Sequence, residues 1–521
     1  LEVGFQAQMN GATTQDRDVK LIWSNEDTTD QSWQTPALFG RAIFFELGRT
    51  DIPQPSVRAA LPTPVPTAGP EVIPPSINVN QVGYFPAGEK IAFVANDSTA
   101  PIDWSLLDGS GAEVLKGKTL VKGLDELSGD FLHTIDFSSF STAGTGYKLK
   151  AGELESPAFN IKADLYATLK RDALAYFYLN RSGIVLDPQY AGEQWSRPAG
   201  HLSDKAVTCF KGTDSVGNTW PGCNYTLNAA GGWYDAGDFG KYVVNGGISA
   251  WTLMDLYEQL PAAFADGSQN IPEKANGVPD ILDEARWEME FLLAMQVPEG
   301  QPLAGMAHHK MHDESWAPMP MIPPTEVDND NENVKPGTGR YLYAPSTAAT
   351  LNLAATAAQC ARIWKDIDND FALRCLDSAE KAWKAALSHP EIYAGNAPGN
   401  GGGNYDDNNV SDEFYWAAAE LFITTSSQEY QSYLLGSSEF GKVEAFDWGH
   451  TAPLGSISLA TVKNNLPKDK LDIIKQNFTA YASRMIGVLQ KEGYPALIEG
   501  DFPWGSRSEE RRVGKECRSR W

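Results

Sequence analysis

Residues 231–242 read GGWYDAGDFGKY and set two carboxylates, Asp235 and Asp238, three positions apart. Gly231, Gly232, Gly237 and Gly240 let the backbone bend tightly around them, while Trp233, Tyr234, Phe239 and Tyr242 supply walls. Two acids this close in sequence suit holding one water between them. Their like charges should raise one of the two pKa values unless backbone amides compensate, and a glycine-rich turn can offer those amides. A purely structural Asx-type turn is the competing reading, and the flanking glycines and aromatics weigh against it.

Charge narrows what such a site meets. With 67 acidic residues against 42 basic ones the formal net charge is -25, a field that repels phosphate backbones and anionic lipid head groups. Neither nucleic acid nor a membrane is an expected partner, and no apolar run reaches the roughly 18 residues of a membrane span. Fifteen Trp and 19 Tyr suit neutral polyhydroxy ligands with apolar CH faces and hydroxyl edges, although most single rings belong to cores.

The elements that position the pair change character along the chain. Residues 1–50 alternate apolar and polar in LEVGFQAQM, VKLIW and RAIFFEL, the period of half-buried strands, and read as a β-sandwich remnant with carbohydrate binding as one role. A proline-rich linker follows over 51–75. Short strand patterns such as KIAFVAN, IDWSLLD and FLHTIDF recur over 76–162, as expected of a small sandwich. From 163 the period becomes helical: ADLYATLKRDALAYFYLNRSG puts Leu165, Leu169, Tyr176 and Phe177 on one face, and six further helical patterns follow. The large domain, 163–506, is expected to be all-α.

Several motifs in order carry a resemblance. NVNQVGYFP (78–86) resembles the opening of the immunoglobulin-like module that precedes many glycoside hydrolase family 9 catalytic domains. GGWYDAGDFGKYV, YLYAPSTAAT (341–350) and DEFYWAAAEL (412–421) resemble the catalytic domain of that family. The resemblance implies an (α/α)6 barrel that hydrolyses β-1,4-glucans such as cellulose with inversion, secreted and monomeric, with Asp238 as general base and Asp235 orienting the water. Inversion needs an acid on the opposite sugar face, about 6.5–9.5 Å from the base. FPWGS (502–506) resembles the stretch just before the family's acid region, and RSEERRVGKECRSRW (507–521) then resembles translated sequencing adapter. No residue matches the acid: Glu413 and Glu420 belong to a helix, and Glu499 fits no proton-donor motif. The expectation is a truncated barrel that is inactive as it stands, with a non-catalytic carbohydrate-binding protein as the alternative.

The resemblance also suggests sugar contacts at His309, Lys310 and Trp316 in MAHHKMHDESW (306–316), at Arg340 and Tyr341, and at Tyr415 and Trp416. HHKMH lacks HExxH spacing, so a metal there is a weak reading. Zinc is suggested at Cys209, Cys223 and His201; a disulfide explains the 209–223 spacing equally well, and the metal is preferred here. The acidic runs DNDNEN (328–333) and NYDDNNVSDE (404–413) offer oxygens for calcium, although the first reads better as a solvated loop and Asp412 could cap its helix.

Overall fold

The computed structural model describes residues 76–495 apart from 126–127, 215–216, 315, 317–338 and 395–400, together with the backbone of 19–23 and 43–47. The linker, the run 328–333, Glu499, FPWGS and the tail 507–521 lie outside those residues. Two compact units emerge, residues 1–163 with 492–521 and residues 164–491.

In the first unit β1 (Val19–Trp23) pairs antiparallel with β2 (Ile43–Leu47). Nine further strands follow: β3 (Ser76–Asn78), β4 (Ile91–Ala95), β5 (Asp103–Leu107), β6 (Glu113–Lys118), β7 (Leu120–Leu124), β8 (Phe131–Asp136), β9 (Gly144–Ala151), β10 (Leu154–Glu155) and β11 (Phe159–Ile161). They form sheets of order β3-β4-β8-β7 and β10-β9-β5-β6, with β11 on β9. Alternating residues of both sheets, among them Val94, Leu106, Ile135 and Leu149, make one buried core, the expected consequence of period-2 patterning. The patterns missed β6 and β7, whose sequences EVLKGK and LVKGL are largely exposed.

The second unit is helical, with α1 (Ala167–Leu179), the single turn α2 (Pro188–Ala191), α3 (Val243–Gln259), α4 (Asp280–Ala294), α5 (Thr347–Trp364), α6 (Asn369–Ser388), α7 (Ser411–Thr425), α8 (Gln428–Gly436), α9 (Ala452–Thr461) and α10 (Lys468–Lys491). Ser346 and Asp368 start α5 and α6 by accepting from the amides of Ala349 and Phe371, each satisfying a donor the helix leaves open. α5 and α7 are buried almost all round, as a helix in the middle of others must be. α1 departs from expectation: Leu174 and Tyr178 are its buried residues, while Leu169 and Tyr176 stay exposed because nothing described packs on their face. Among the described residues no helix is long and apolar enough to cross a membrane.

Small sheets between the helices frame the site. The hairpin of β12 (Lys211–Thr213) and β13 (Thr219–Pro221) lies before the acidic loop. β14 (Lys241–Tyr242) leaves that loop; β15 (Ala307–His308), β16 (Lys310–Asp313), β17 (Arg340–Leu342) and β18 (Pro345–Ser346) follow. β14, β16 and β17 form one antiparallel sheet in which Lys241 faces Met311, Tyr242 faces Lys310, His312 faces Tyr341 and Asp313 faces Arg340. Opposed residues share a face and successive ones alternate. One face therefore carries Lys241, Asp313 and Arg340, and the other carries Tyr242, Lys310 and His312.

Candidate active site

The loop 229–242 is held from both ends. On the α4 side, Glu288 accepts the Trp233 amide at 2.7 Å and Trp287 donates its indole N–H to the Gly232 carbonyl at 3.0 Å. A Cβ at Gly232, which sits at φ 73, would stand 2.7 Å from Phe291, so the turn requires glycine. On the sheet side Lys241 reaches back to the carbonyls of Ala229 and Gly231 at 2.7 and 2.8 Å and pairs with Asp204 at 2.8 Å. Arg340 donates to Asp204 at 2.8 Å and to the Phe239 carbonyl at 2.9 Å, with Asp313 at 3.5 Å. Phe239 has φ 58, a conformation that a bulky residue keeps only when its surroundings hold it there. Burial would push the Asp204 carboxyl up, but Arg340 and Lys241 outweigh it and hold Asp204 below the usual range.

Between these anchors the two aspartates stand in different environments. Asp235 is half-buried and accepts from Asn245 Nδ2 and the Tyr405 hydroxyl, both at 2.8 Å. Asp238 is 6% exposed and accepts from the Gly240 amide at 3.4 Å and the Tyr242 hydroxyl at 3.3 Å. Burial pushes the Asp238 carboxyl above its ordinary value and the charge of Asp235 adds to the push, against the Gly240 and Tyr242 bonds. A carboxylate so raised is a stronger base than a solvated one, which is what drawing a proton from water requires. Tyr405 was not singled out from sequence; it sits 170 positions from Asp235, and no local pattern links the two.

Several residues assigned to sugar take other parts. His309 is buried, its Nδ1 beside the Ser346 hydroxyl at 2.8 Å and its Nε2 on the carbonyls of Asn404 and Tyr405. Both ring nitrogens are spent, which leaves no edge for a ligand. Lys310 is 5% exposed and donates to the Gly403 carbonyl at 2.6 Å. Arg340 is spent on the loop. Tyr415 and Trp416 are wholly buried on α7, the hydroxyl of Tyr415 meeting Ser456 at 3.1 Å, so they pack and do not reach a cleft. Trp316 is 51% exposed and Tyr341 half-buried beside Phe210, which keeps faces open on both. Glu420 accepts from Trp251 and Ser458 and pairs with Arg362 inside the core.

The metal expectations meet different outcomes. Cys209 and Cys223 form a disulfide that closes the β12–β13 hairpin, with Cα atoms 5.3 Å apart, so no thiolate remains for zinc. His201 is buried against the Tyr234 hydroxyl at 2.7 Å, with Asp313 at 3.7 Å. In the second acidic run Asp412 accepts from Thr451 at 2.8 Å instead of capping α7. Oxygens of Asp407, Asp412 and Glu413 are buried without a hydrogen-bond partner. That is hard-cation chemistry, yet among the described residues no three His, Cys, Asp or Glu side chains stand at metal-ligand spacing.

Comparison with known proteins adds independent findings. The family model described as Glycosyl hydrolase family 9 matches residues 166–511, and that of a Cellulase N-terminal ig-like domain matches 73–156. A Cellulose 1,4-beta-cellobiosidase of Acetivibrio thermocellus is 46% identical over 485 residues, covering 83% of this chain and 53% of that protein. The chain thus spans about half the length of that relative. A xyloglucan-specific endo-beta-1,4-glucanase of Bacteroides ovatus is 32% identical over 461 residues, 85% of this chain and 74% of the other. The crystal structure of a metagenome-derived glycoside hydrolase family 9 endoglucanase superposes with a TM-score of 0.71 at 31% identity, over 84% of this chain and 78% of that one.

Proposed function

The chain belongs to glycosyl hydrolase family 9, and we propose that it acts on β-1,4-linked glucans by inverting hydrolysis with Asp238 as general base. The observation that carries this reading is the unequal pair: Asp238 buried with a raised pKa, Asp235 less buried and held by two strong donors. One water bridging the two loses its proton to Asp238 while Asp235 keeps its lone pair aimed at the anomeric carbon. Trp316 and Tyr341 offer faces on which sugar rings can stack. Cellulose, mixed-linkage glucan and xyloglucan all fit this chemistry.

The acid that protonates the leaving oxygen is assigned to none of the described residues, since Glu420 is committed to Arg362 and Glu413 to the buried acidic cluster. The test therefore uses a leaving group that departs unprotonated. Dinitrophenyl β-cellobioside should release its phenolate in the presence of this chain, with α-cellobiose appearing first by NMR. Asp238→Ala should slow release by about 10²–10⁴-fold. Equal release by that variant, β-cellobiose first, or cellodextrin binding with no release would overturn the reading, the last in favour of a carbohydrate-binding protein.

A further inference from the structure

Residues 403–405 form a strap whose main chain is held by buried side chains. The Gly403 amide donates to the Tyr242 hydroxyl at 2.8 Å and the Gly403 carbonyl accepts from Lys310 at 2.6 Å. The Asn404 and Tyr405 carbonyls share His309 Nε2, at 3.1 and 3.0 Å. Two carbonyl partners require the proton on Nε2, and the Ser346 hydroxyl serves Nδ1. Burial, with Lys310 adding to it, lowers the His309 pKa to about 4, so the ring stays neutral.

The strap passes closely and under strain. Tyr405 has φ 48, in the left-handed region. A Cβ at Gly402 would run into the Tyr242 hydroxyl and the His312 ring, and one at Gly403 would stand 2.9 Å from the Tyr405 ring. What this arrangement delivers is a pair of hydroxyls. The Gly403 amide occupies a lone pair of the Tyr242 oxygen, which leaves the hydroxyl proton to Asp238 Oδ2; the Tyr405 hydroxyl falls on Asp235 Oδ2. The two rings meet edge to face with centroids 4.6 Å apart, so displacing one moves the other.

Resting on the general-base reading above, we propose that Lys310 is a positioning residue: its ammonium fixes Gly403 and thereby sets the Tyr242 hydroxyl on Asp238 and the Tyr405 hydroxyl on Asp235. Lys310 touches no substrate in this role. Its pKa, lowered by burial to about 8 against the pull of Asp238 and Asp406, keeps it cationic at neutral pH.

The test compares Lys310→Met, Tyr405→Phe and the double variant on dinitrophenyl β-cellobioside, with thermal melts as a check on folding. Lys310→Met should lower kcat by up to about 25-fold, roughly fivefold for each of the two hydroxyls it sets, and leave KM within about twofold, because binding is not what it supports. The double variant should be barely slower than the worse single one, since both changes break the same arrangement. A raised KM at unchanged kcat would mark Lys310 as a sugar contact and overturn the proposal, as would full additivity. If Lys310→Met does not fold, Tyr405→Phe alone decides: an unchanged kcat refutes positioning through the strap. Should Asp238→Ala retain the wild-type rate, it is the general-base reading that fails; if only Lys310→Met is silent, this proposal alone fails.

Discussion

Two places in the helical unit bury charged groups, and they treat them in opposite ways. Around Asp204 the charges alternate in sign: Lys241 and Arg340 share one carboxylate, and Arg340 also approaches Asp313. At the start of α7, Asp407, Asp412 and Glu413 crowd together, acid against acid. Burial, then Asp412 and Asp407, push the Glu413 carboxyl well above its ordinary value. A paired set of charges can serve as a stiff frame, because every group has its counterpart whatever the solution does. An acid-only set instead keeps a proton that a solvated carboxyl would shed. The first sits directly behind the Asp235–Asp238 loop, where stiffness is useful.

The largest expected effect comes from breaking the paired region. Asp204→Ala leaves Lys241 buried with no carboxylate within ion-pair distance and Arg340 with Asp313 as its one, longer carboxylate contact, at a cost of about 3–5 kcal/mol. Urea unfolding measures this, and a loss below about 1 kcal/mol would erase the contrast between the regions.

The second effect tests the unpaired region. A raised carboxyl pKa means that the folded chain keeps a proton the unfolded chain sheds above the ordinary glutamate value of 4.5. Stability from this group therefore falls as pH rises from there, until the folded pKa is passed. Glu413→Gln should flatten that slope in melts run across pH. Parallel pH slopes would show that the cluster is balanced in some other way.

The smallest effect sharpens the claim that the loop is stiff. Tyr242→Phe removes one hydrogen bond from Asp238, worth about 1 kcal/mol or roughly fivefold in kcat. Because that bond lowers the Asp238 pKa, its loss should move the acid limb of the pH–rate profile to higher pH. A collapse in stability would mean instead that the loop leans on Tyr242 and not on the ionic frame.

That Asp235 and Asp238 stand together among glycines and aromatics was legible. Glycines and aromatics around two acids within twelve residues form a local pattern, and local patterns survive folding. Lys310, His309 and Arg340 were read as sugar contacts because polar side chains in a loop beside a cleft look alike in sequence, whether they point at ligand or at backbone. In the fold both faces of the β14–β16–β17 sheet are covered, so Lys310 and Arg340 are buried on opposite sides of it, and His309, just before β16, is buried against Ser346 and the 404–405 carbonyls. Tyr415 and Trp416 misled for a related reason: α7 is buried almost all round, its acids Asp412, Glu413 and Glu420 included, so no solvated polar stripe tells which side faces outward. Cys209 and Cys223 fitted a metal or a disulfide equally well until the β12–β13 hairpin brought their Cα atoms to 5.3 Å.

Period and composition by themselves determined the order of a strand-rich unit and a helical one, the net negative charge, and the setting of Asp235 and Asp238 among glycines and aromatics, because each is written in composition or in neighbours along the chain. Which side chains support those residues was decided only in three dimensions. Tyr405 reaches Asp235 across 170 positions, and Arg340 reaches the Phe239 carbonyl across 101. Contacts at that separation are set by strand register and helix packing, and leave no mark in any short stretch of sequence.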